Sequence, residues 1–200
     1  MVQGMDAKCR LRQRLRRGRR QLSADERQHQ TAAIVEQVLA RLQRAAPPIV
    51  ASYCAAGGEV DLNALHRRWR AIGGQFCLPR VAGPGRLTWH RLDDEAELVT
   101  GTYGIAEPDP QRHPPTVLQP GSWVLVPGVG FTPGGERLGQ GGGFYDRFLD
   151  RDFVAVGIAF TCQIVDRLPI EDHDRRCDAL CAGGEWQWVS ERGDPSASSG

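Results

Sequence analysis

The residues best suited to chemistry form a glycine-rich segment, PGGERLGQGGGFYD, which runs from Pro133 to Asp146. Six of the ten residues 134–143 are glycine, whereas a tight turn alone needs one or two. An apolar run precedes the segment and a helix-like run follows it, an order in which backbone N–H groups converge on an anion. Arg137 can bind phosphate oxygens as a fork, and Asp146 is placed to bind Mg²⁺ beside the same phosphates. We therefore predict a phosphate-binding loop, with a ligand-free turn as the alternative; the spacing matches neither GxxxxGK[ST] nor GxGxxG.

A second feature is a strongly basic N-terminal segment, in which residues 8–20 carry eight cations and no acid. Such a segment is typical of an RNA-binding helix, of a helix that binds an anionic surface, or of a solvated helix face. Lys8 is the only lysine in the chain, because the other 24 of its 25 basic residues are arginine. The chain uses arginine wherever it needs only positive charge, and a compact ammonium group differs chemically from a guanidinium fork. We therefore expect Lys8 to have a functional role, such as phosphate binding beside a metal ion. Arg12 lies one helical turn further along the same face, so Lys8 and Arg12 together could bind the phosphates of one nucleotide.

Two further places offer carboxylates. Glu59 follows Gly57 and Gly58 at the end of a predicted strand, where it either lines a ligand pocket or begins a helix. His173 and Asp174, in the run LPIEDHDRRCD, either supply a second magnesium ligand or belong to an exposed polar turn. The four-residue spacings of His173, Cys177 and Cys181 suggest zinc only weakly, since no fourth ligand is evident. A GxSxG nucleophile elbow is absent from the sequence, which disfavours covalent acyl chemistry.

The elements that must position these residues follow from the apolar pattern. Helical spacing between Asp6 and Arg44 predicts two helices that break near Leu22, with Ser23 and Glu26 forming a capping box. Short apolar runs bounded by glycine and proline predict strands over Ile49–Ala55, Gln75–Val81, Leu87–Leu92, Trp123–Phe131, Phe153–Phe160, Asp178–Ala182 and Trp186–Val189. Helices are predicted over Val60–Ile72 and Phe144–Arg151. The alternation indicates an open, mainly parallel α/β sheet with helices on both faces.

Composition sets the limits of this interpretation. The chain has 200 residues and a formal net charge of +1, which favours one α/β domain over residues 1–189 and demands no polyanionic partner. Five prolines in Glu107–Pro120 predict a long surface connection, and the polar residues 190–200 predict a disordered tail. The sequence lacks an 18-residue apolar stretch and a signal peptide, and its six cysteines are scattered. We expect a cytoplasmic protein that binds no membrane.

Several of these segments together resemble one enzyme family. The stretch GERLGQGGGFYDRFL resembles the RLGxGxGxYD signature of 5-formyltetrahydrofolate cyclo-ligases, and AKCRLRQRLRRGRRQLSADER is similar to their N-terminal Lys-x-x-Leu-Arg helix. The segments GGEVDLNAL, LPRV, GIAEP and LPIEDHDRRCD occur in the family's order and approximate spacing. The resemblance covers nearly all of residues 8–180.

The resemblance implies a Rossmann-like fold and the conversion of ATP and 5-formyltetrahydrofolate to ADP, phosphate and 5,10-methenyltetrahydrofolate, with Mg²⁺ as cofactor. The ATP-binding residues that it implies are Lys8, Arg12, Arg137, Leu138, Gly139, Gln140, Gly141, Gly142, Gly143, Phe144 and Tyr145. Among them, Lys8, Arg137 and Tyr145 are the predicted catalytic residues. Asp146 and Asp174 would bind Mg²⁺, and Cys54, Glu59 and Tyr103 would contact the folate.

The family's route phosphorylates the formyl oxygen, so that a second folate nitrogen attacks the activated carbon and phosphate leaves. Gln140 and Gly142 stand where some members carry basic residues, which leaves Lys8, Arg12 and Arg137 to supply positive charge. Small-molecule substrates, a monomeric state and no nucleic acid are expected. The alternatives are an RNA-binding protein on an inactive version of this fold, or another small α/β nucleotide or sugar-phosphate enzyme.

Overall fold

The structure, a computed structural model, describes residues 2–92, 98–149, 153–169, 171 and 174–190. Its helices are α1 (Val2–Gln21), α2 (Ala24–Ala45), α3 (Asn63–Ala71) and α4 (Phe144–Phe148). Its strands are β1 (Val50–Ala51), β2 (Phe76–Gly83), β3 (Arg86–Arg91), β4 (Leu98–Thr100), β5 (Ala106–Pro108), β6 (Pro115–Thr116), β7 (Trp123–Pro127), β8 (Gly130–Phe131), β9 (Arg137–Leu138), β10 (Val154–Ala159), β11 (Ala179–Ala182) and β12 (Glu185–Trp188).

Eight strands of the described part of the chain form one sheet in the order β12-β11-β10-β7-β1-β2-β3-β6. The five central strands, from β11 to β2, are parallel to one another, whereas β3, β6 and β12 pair antiparallel at the two edges. β7 and β10 are buried on both faces, as their continuous apolar sequences require in a covered parallel sheet. The prediction of a mainly parallel α/β sheet is confirmed.

Two apolar clusters cover the two faces of this sheet. On one face, α2 and α3 pack Ile34, Val38 and Leu65 against the strands, with Val156 among the residues that meet them. On the other face, Leu149, which directly follows α4, packs with strand residues that include Val124 and Phe131. The alternation of side chains along β7 sends neighbouring valines and leucines to opposite faces.

The boundary between α1 and α2 lies where the sequence places it. Ser23 is the N-cap of α2: its hydroxyl accepts a hydrogen bond from the backbone N–H of Glu26, and the Glu26 carboxylate accepts one from the backbone N–H of Ser23 at 2.9 Å. This capping box satisfies N–H groups that a helix start otherwise leaves unpaired. α1 therefore ends at Gln21 and α2 begins at Ala24, as two separate helices on either side of this cap.

Several predicted boundaries were wrong. The expected strand Trp123–Phe131 leaves the sheet after Pro127, because the Gln163 side-chain amide donates hydrogen bonds to the carbonyls of Gly128 (2.8 Å) and Val129 (3.2 Å). β1 has only two residues instead of seven, and α3 begins at Asn63 rather than Val60. The proline-rich Glu107–Pro120 supplies part of β5 and the edge strand β6 instead of a plain connection. Proline is accommodated there because an edge strand needs fewer backbone donors.

At the C-terminal end, Ser190 belongs to the fold, since its hydroxyl donates to the Asp178 carboxylate at 2.8 Å. The remainder of the predicted tail, 191–200, lies outside the described residues. The end of the predicted helix Phe144–Arg151 also lies outside them, and the described helix ends at Phe148.

Candidate active site

The site lies where the central parallel strands end, the usual position of ligand sites in open α/β sheets. α1 crosses this end of the sheet and packs Leu15 against the chain that leaves β7, where a Cβ at Gly130 would lie 2.4 Å from the Leu15 side chain. Leu15, Val129, Leu138 and Leu168 form a small apolar cluster beneath the helix. Packing in this cluster sets the position of α1 and its rotation about its own axis, so that one basic face is turned toward the sheet.

The inward face of α1 is built from residues spaced by three or four, as helical geometry demands. Its members are Lys8, Arg12, Arg16 and Arg19, and each contacts a different part of the site. The arginines between them, among them Arg14 and Arg17, are exposed. The basic helix α1 therefore has two faces: one is exposed to solvent, and the other makes contacts within the fold.

Lys8 joins α1 to the chain before β11. Its ammonium lies 3.0 Å from the carboxylates of both Glu171 and Asp174, and only 13% of its side chain is exposed. Burial lowers the pKa of Lys8, but the hydrogen bonds and charges of the two carboxylates outweigh burial and leave that pKa raised. The Asp174 carboxylate also accepts a hydrogen bond from the backbone N–H of Glu171 at 2.8 Å. The group is a compact cation held between two acids.

The glycine-rich segment is not one loop, as the sequence led us to expect, but two. Thr132 and Glu136 close a hairpin between β8 and β9, because the Thr132 backbone N–H donates to the Glu136 carbonyl at 3.0 Å. Gly135, with φ +77°, makes the turn of that hairpin. The phosphate-binding candidate is consequently the shorter stretch Gly139–Gly143, between β9 and α4.

Within this shorter loop the backbone is held by α1. Arg12 donates from Nε to the Gly139 carbonyl at 2.9 Å, and its guanidinium also lies beside Gly141, whose φ is +110°. Gly143 has φ +64° and precedes α4. A Cβ at Gly142 would lie 2.6 Å from the Phe144 ring, so the ring folds back over the loop. These glycines are needed both for backbone angles and for close approach.

Arg137 and Tyr145 form the floor of the loop. Arg137 is buried on β9, and its guanidinium lies close under Gly139, where an added Cβ would be 2.7 Å from Nη1. The same guanidinium stacks over the Tyr145 ring, 5.6 Å from its centre. Burial, then the nearby Glu59 carboxylate, raise the pKa of the Tyr145 hydroxyl, whereas Arg137 lowers it. The phenol is thus a hydrogen-bond donor at neutral pH and not a base.

Glu59 faces the loop from the opposite side. Its carboxylate accepts hydrogen bonds from the Gln140 side-chain amide and from the Ala56 backbone N–H, both at 3.2 Å. Gln140 in turn accepts a hydrogen bond from Arg16. Burial raises the pKa of Glu59, and the bonds from Ala56 and Gln140 offset part of that rise. A carboxylate, an amide and a guanidinium therefore connect the chain after β1, the loop and α1.

Three of the other predicted residues have distinct surroundings. Cys54 is half-buried after β1 and interacts electrostatically with the Tyr145 hydroxyl, which puts it on the Glu59 side of the site. Leu138 is buried in the apolar cluster under α1, so its side chain anchors the loop. Tyr103 is 78% exposed, with φ +60°, and in the described part of the chain we find no hydrogen bond, ion pair or ring contact that joins it to the loop.

For a metal, the site offers the Asp174 carboxylate beside Lys8. The side chain of Asp146 and the whole of His173 lie outside the described residues, so the predictions for Asp146 and for a zinc site with His173 fall there. Among the residues that the structure describes, histidine, cysteine, aspartate and glutamate form no group of three or more able to hold a metal ion.

Sequence reasoning missed Arg16, Arg19, Arg27 and Glu171 as members of the site. Helical spacing from Lys8 and Arg12 would have found Arg16 and Arg19, since both fall on the same face. Nothing local marks Arg27, which reaches the site from α2, or Glu171, which lies 163 residues after Lys8 in the sequence. No helix in the described part of the chain is both long and apolar enough to cross a bilayer.

Comparisons with known proteins identify the family of this chain. The sequence model of the 5-formyltetrahydrofolate cyclo-ligase family matches residues 4–183. The 5-formyltetrahydrofolate cyclo-ligase of Escherichia coli is 32% identical over 188 residues, which cover 87% of this chain and all of that protein. A probable enzyme of the same name from Caenorhabditis elegans is 26% identical, over 90% of this chain and 94% of that one.

Solved structures show the same likeness. The 5,10-methenyltetrahydrofolate synthetase of Aquifex aeolicus superposes with a TM-score of 0.78 at 31% identity and covers 91% of this chain and 92% of that one. The synthetase of Mycoplasma pneumoniae, at 23% identity and a TM-score of 0.66, shares the fold. Neither the relatives nor these structures support the RNA-binding alternative. This chain is a member of the 5-formyltetrahydrofolate cyclo-ligase family.

Proposed function

We propose that this protein uses ATP to cyclise 5-formyltetrahydrofolate to 5,10-methenyltetrahydrofolate, with release of ADP and phosphate. The observation that carries the proposal is the meeting of three groups at one end of the sheet. Arg12 and Arg16 of α1 donate hydrogen bonds to Gly139 and Gln140 of the Gly139–Gly143 loop, and the Gln140 amide donates one to Glu59 at 3.2 Å. A proposed anion site and a half-buried carboxylate thus adjoin each other, as a phosphate donor and a pterin require.

The proposed chemistry begins at the formyl oxygen, which attacks the γ-phosphorus of ATP while ADP leaves. The folate nitrogen at position 10 then attacks the activated carbon, the ring closes, and phosphate departs. Little covalent work falls to the protein, so positioning and charge stabilisation dominate. Arg12 and Arg137, which contact the loop, and Lys8, one helical turn before Arg12, would supply positive charge to the phosphates, and the protonated Tyr145 hydroxyl would supply a hydrogen-bond donor.

Mg²⁺ is the implied cofactor, and the Asp174 carboxylate, the one assigned donor whose side chain the structure describes, is of a type that suits it. Asp174 presents a carboxylate beside the ammonium of Lys8, and Mg²⁺ is usually held by one or two carboxylates together with substrate phosphates. Asp174 and Asp146 are the residues that we propose would hold it. When bound, the ion supplies charge neutralisation to the phosphates. Before that, Lys8 holds the Asp174 carboxylate in place.

We propose that the folate binds on the Glu59 side of Gln140, opposite the α1 cations that contact the loop. Glu59 is the proposed partner of the pterin, because a carboxylate can accept two parallel hydrogen bonds from such a ring. Cys54 and the ring of Tyr145 would line the pocket beside it. Tyr103 stands exposed at a strained backbone position, and its proposed contact with the folate requires the β4–β5 hairpin to meet the ligand.

We further propose that the enzyme acts as a monomer in the cytoplasm. None of the six cysteines, all of which the structure describes, forms a disulfide, which suits a reducing compartment. RNA binding has no observation in its favour, since the inward cations of α1 are committed to contacts within the fold.

The test is an absorbance assay. Purified protein with ATP, Mg²⁺ and 5-formyltetrahydrofolate should generate the methenyl chromophore, and omission of ATP should abolish the signal. The Arg12→Met variant should lose most of this activity, whereas Arg17→Met, which removes an exposed arginine from the same helix, should keep it. Absence of the chromophore from folded wild-type protein across pH and Mg²⁺ concentrations would disprove the assignment.

A further inference from the structure

The turn that presents Glu59 is held by arginines from two helices. Gly57 and Gly58 both have positive φ, +56° and +82°, and each carbonyl accepts a hydrogen bond from an arginine. Arg19 of α1 donates from Nη2 to the Gly57 carbonyl at 2.6 Å. Arg27 of α2 donates from Nη1 to the Gly58 carbonyl at 2.9 Å. Neighbouring carbonyls of a glycine turn are thus clamped from two directions.

Arg27 also ties the clamp together. Its Nη2 donates to the Arg19 carbonyl at 2.7 Å, and its guanidinium lies 5.0 Å from the centre of the Phe160 ring, at the end of β10. The clamp therefore connects α1, α2 and the core of the sheet to one short turn. Such a turn needs this support, because two glycines in the left-handed region are otherwise free to move.

Arg19 is unusual for its burial. Only 3% of the residue is exposed, and two of its guanidinium nitrogens, Nε and Nη1, have no hydrogen-bond partner among the described residues. An apolar side chain would pack into such a place at no desolvation cost, so a charge kept there needs a reason. The opposite charge that acts most strongly on it is the Glu59 carboxylate.

We infer that Arg19 and Arg27 are positioning residues for substrate, because their clamp on the Gly57–Gly58 turn aims the Glu59 carboxylate and holds a cation near it. This inference rests on the proposed function, in which Glu59 binds the folate. In this inference, α1 has two roles: it contacts the Gly139–Gly143 loop, and through Arg19 it holds the turn that precedes Glu59. Neither arginine touches the reacting atoms.

The groups around Glu59 determine how the clamp would show itself. The titratable groups that face the carboxylate are the phenols of Tyr53 and Tyr145, from the chain after β1 and from α4, and Arg19 is the cation whose charge acts on it. Arg16 reaches Glu59 only through Gln140. Burial raises the pKa of Glu59 and the charge of Arg19 lowers it, so removal of Arg19 should raise that pKa further.

The experiment compares Arg19→Met, Arg19→Lys and the exposed control Arg17→Met in the methenyl-forming assay. Arg19→Met should raise the KM for 5-formyltetrahydrofolate about tenfold, the usual weight of a charge-assisted contact, while the KM for ATP changes less than about twofold. The acid limb of the pH profile should move to higher pH. Arg19→Lys should recover most of the loss, because the charge returns. Arg17→Met should match the wild type.

A second measurement does not depend on activity. Carbon-13 NMR of labelled glutamate side chains, assigned with Glu59→Gln, should show the pKa of Glu59 higher in Arg19→Met than in Arg17→Met. If Arg19→Met does not fold by circular dichroism, Arg27→Met provides the same comparison through the Gly58 carbonyl.

Each outcome decides one question. An unchanged Glu59 titration, or equal rises in the two KM values, would overturn the positioning role. A wild-type protein that forms no methenyl product would refute the proposed function, and the NMR titration would still decide whether the clamp acts on Glu59.

Discussion

Replacement of Lys8 gives the sharpest test of the phosphate side of the site. The chain uses arginine at 24 of its 25 basic positions, yet places its one lysine between Glu171 and Asp174. Lys8→Arg keeps the charge but replaces a compact ammonium by a planar fork. Lys8→Met removes the charge and keeps most of the apolar stem.

The expected magnitudes follow from the contacts. Glu171 is 53% exposed, so its ion pair is screened and contributes little, whereas Asp174 and Lys8 are 16% and 13% exposed. Loss of the cation in Lys8→Met should lower the free energy of unfolding by about 1 to 2 kcal/mol. Lys8→Arg can still pair with both acids and should change it by less than about 0.5 kcal/mol. If Lys8 makes a charge-assisted contact to phosphate, loss of that contact in Lys8→Met should lower kcat/KM for ATP by about tenfold to a hundredfold.

The assay is methenyl formation at varied ATP concentration, combined with urea unfolding of each variant and of Arg17→Met. We expect Lys8→Arg to lose about tenfold in kcat/KM for ATP with wild-type stability, which separates chemistry from folding. Wild-type kcat/KM in Lys8→Arg would refute the argument that the ammonium itself is required. A loss of activity in proportion to a loss of folded protein would assign Lys8 a purely structural role.

Three further predictions concern the loop, the carboxylate and the helix boundary. Gly139→Ala should reduce kcat/KM for ATP about tenfold, because its Cβ would lie 2.7 Å from Arg137 Nη1, whereas Gly134→Ala, with 3.6 Å to its nearest neighbour, should leave steady-state kinetics unchanged. Glu59→Gln should abolish methenyl formation but raise the free energy of unfolding at pH 7 by about 0.5 kcal/mol in urea titrations. The sign follows because burial raises the pKa of Glu59, so the wild type loses stability as pH rises through that pKa. The same pH dependence of the free energy of unfolding in the wild type and in Glu59→Gln would contradict this prediction. Ser23→Ala should cost about 1 kcal/mol in thermal unfolding with unchanged KM values, and a change in either KM would show that the cap also sets the position of α1.

Much of the fold could be read from local pattern. The capping box at Ser23 and Glu26 is a contact between residues three apart, so the sequence determines it directly. The apolar runs of β7 and β10 predict buried parallel strands for the same reason. What failed were the places where a distant side chain ends a strand, as Gln163 does at Gly128, 35 residues away.

The features of the site likewise fall into those that local sequence predicts and those that depend on long-range contacts. The shared helical face of Lys8 and Arg12, and the concentration of glycine near Arg137, are local facts that predicted a phosphate site. The division of the glycine-rich segment into a hairpin and a loop was not predictable, because it depends on β8 pairing with β9. The pairing of Lys8 with Asp174 was equally hidden, since the two residues lie 166 positions apart.

The sequence by itself therefore determined the fold class and the family, and it predicted the residues that bind phosphate and folate, since these depend on composition, spacing and motifs. Only the tertiary structure decided which cations face inward, that Gln140 connects the loop to Glu59, and that Arg19 is buried against the turn before it. The physical reason is range. Helix caps and strand periodicity act over a few residues, whereas the charge and aim of Glu59 depend on groups that α1, α2 and the loop bring together across the sheet.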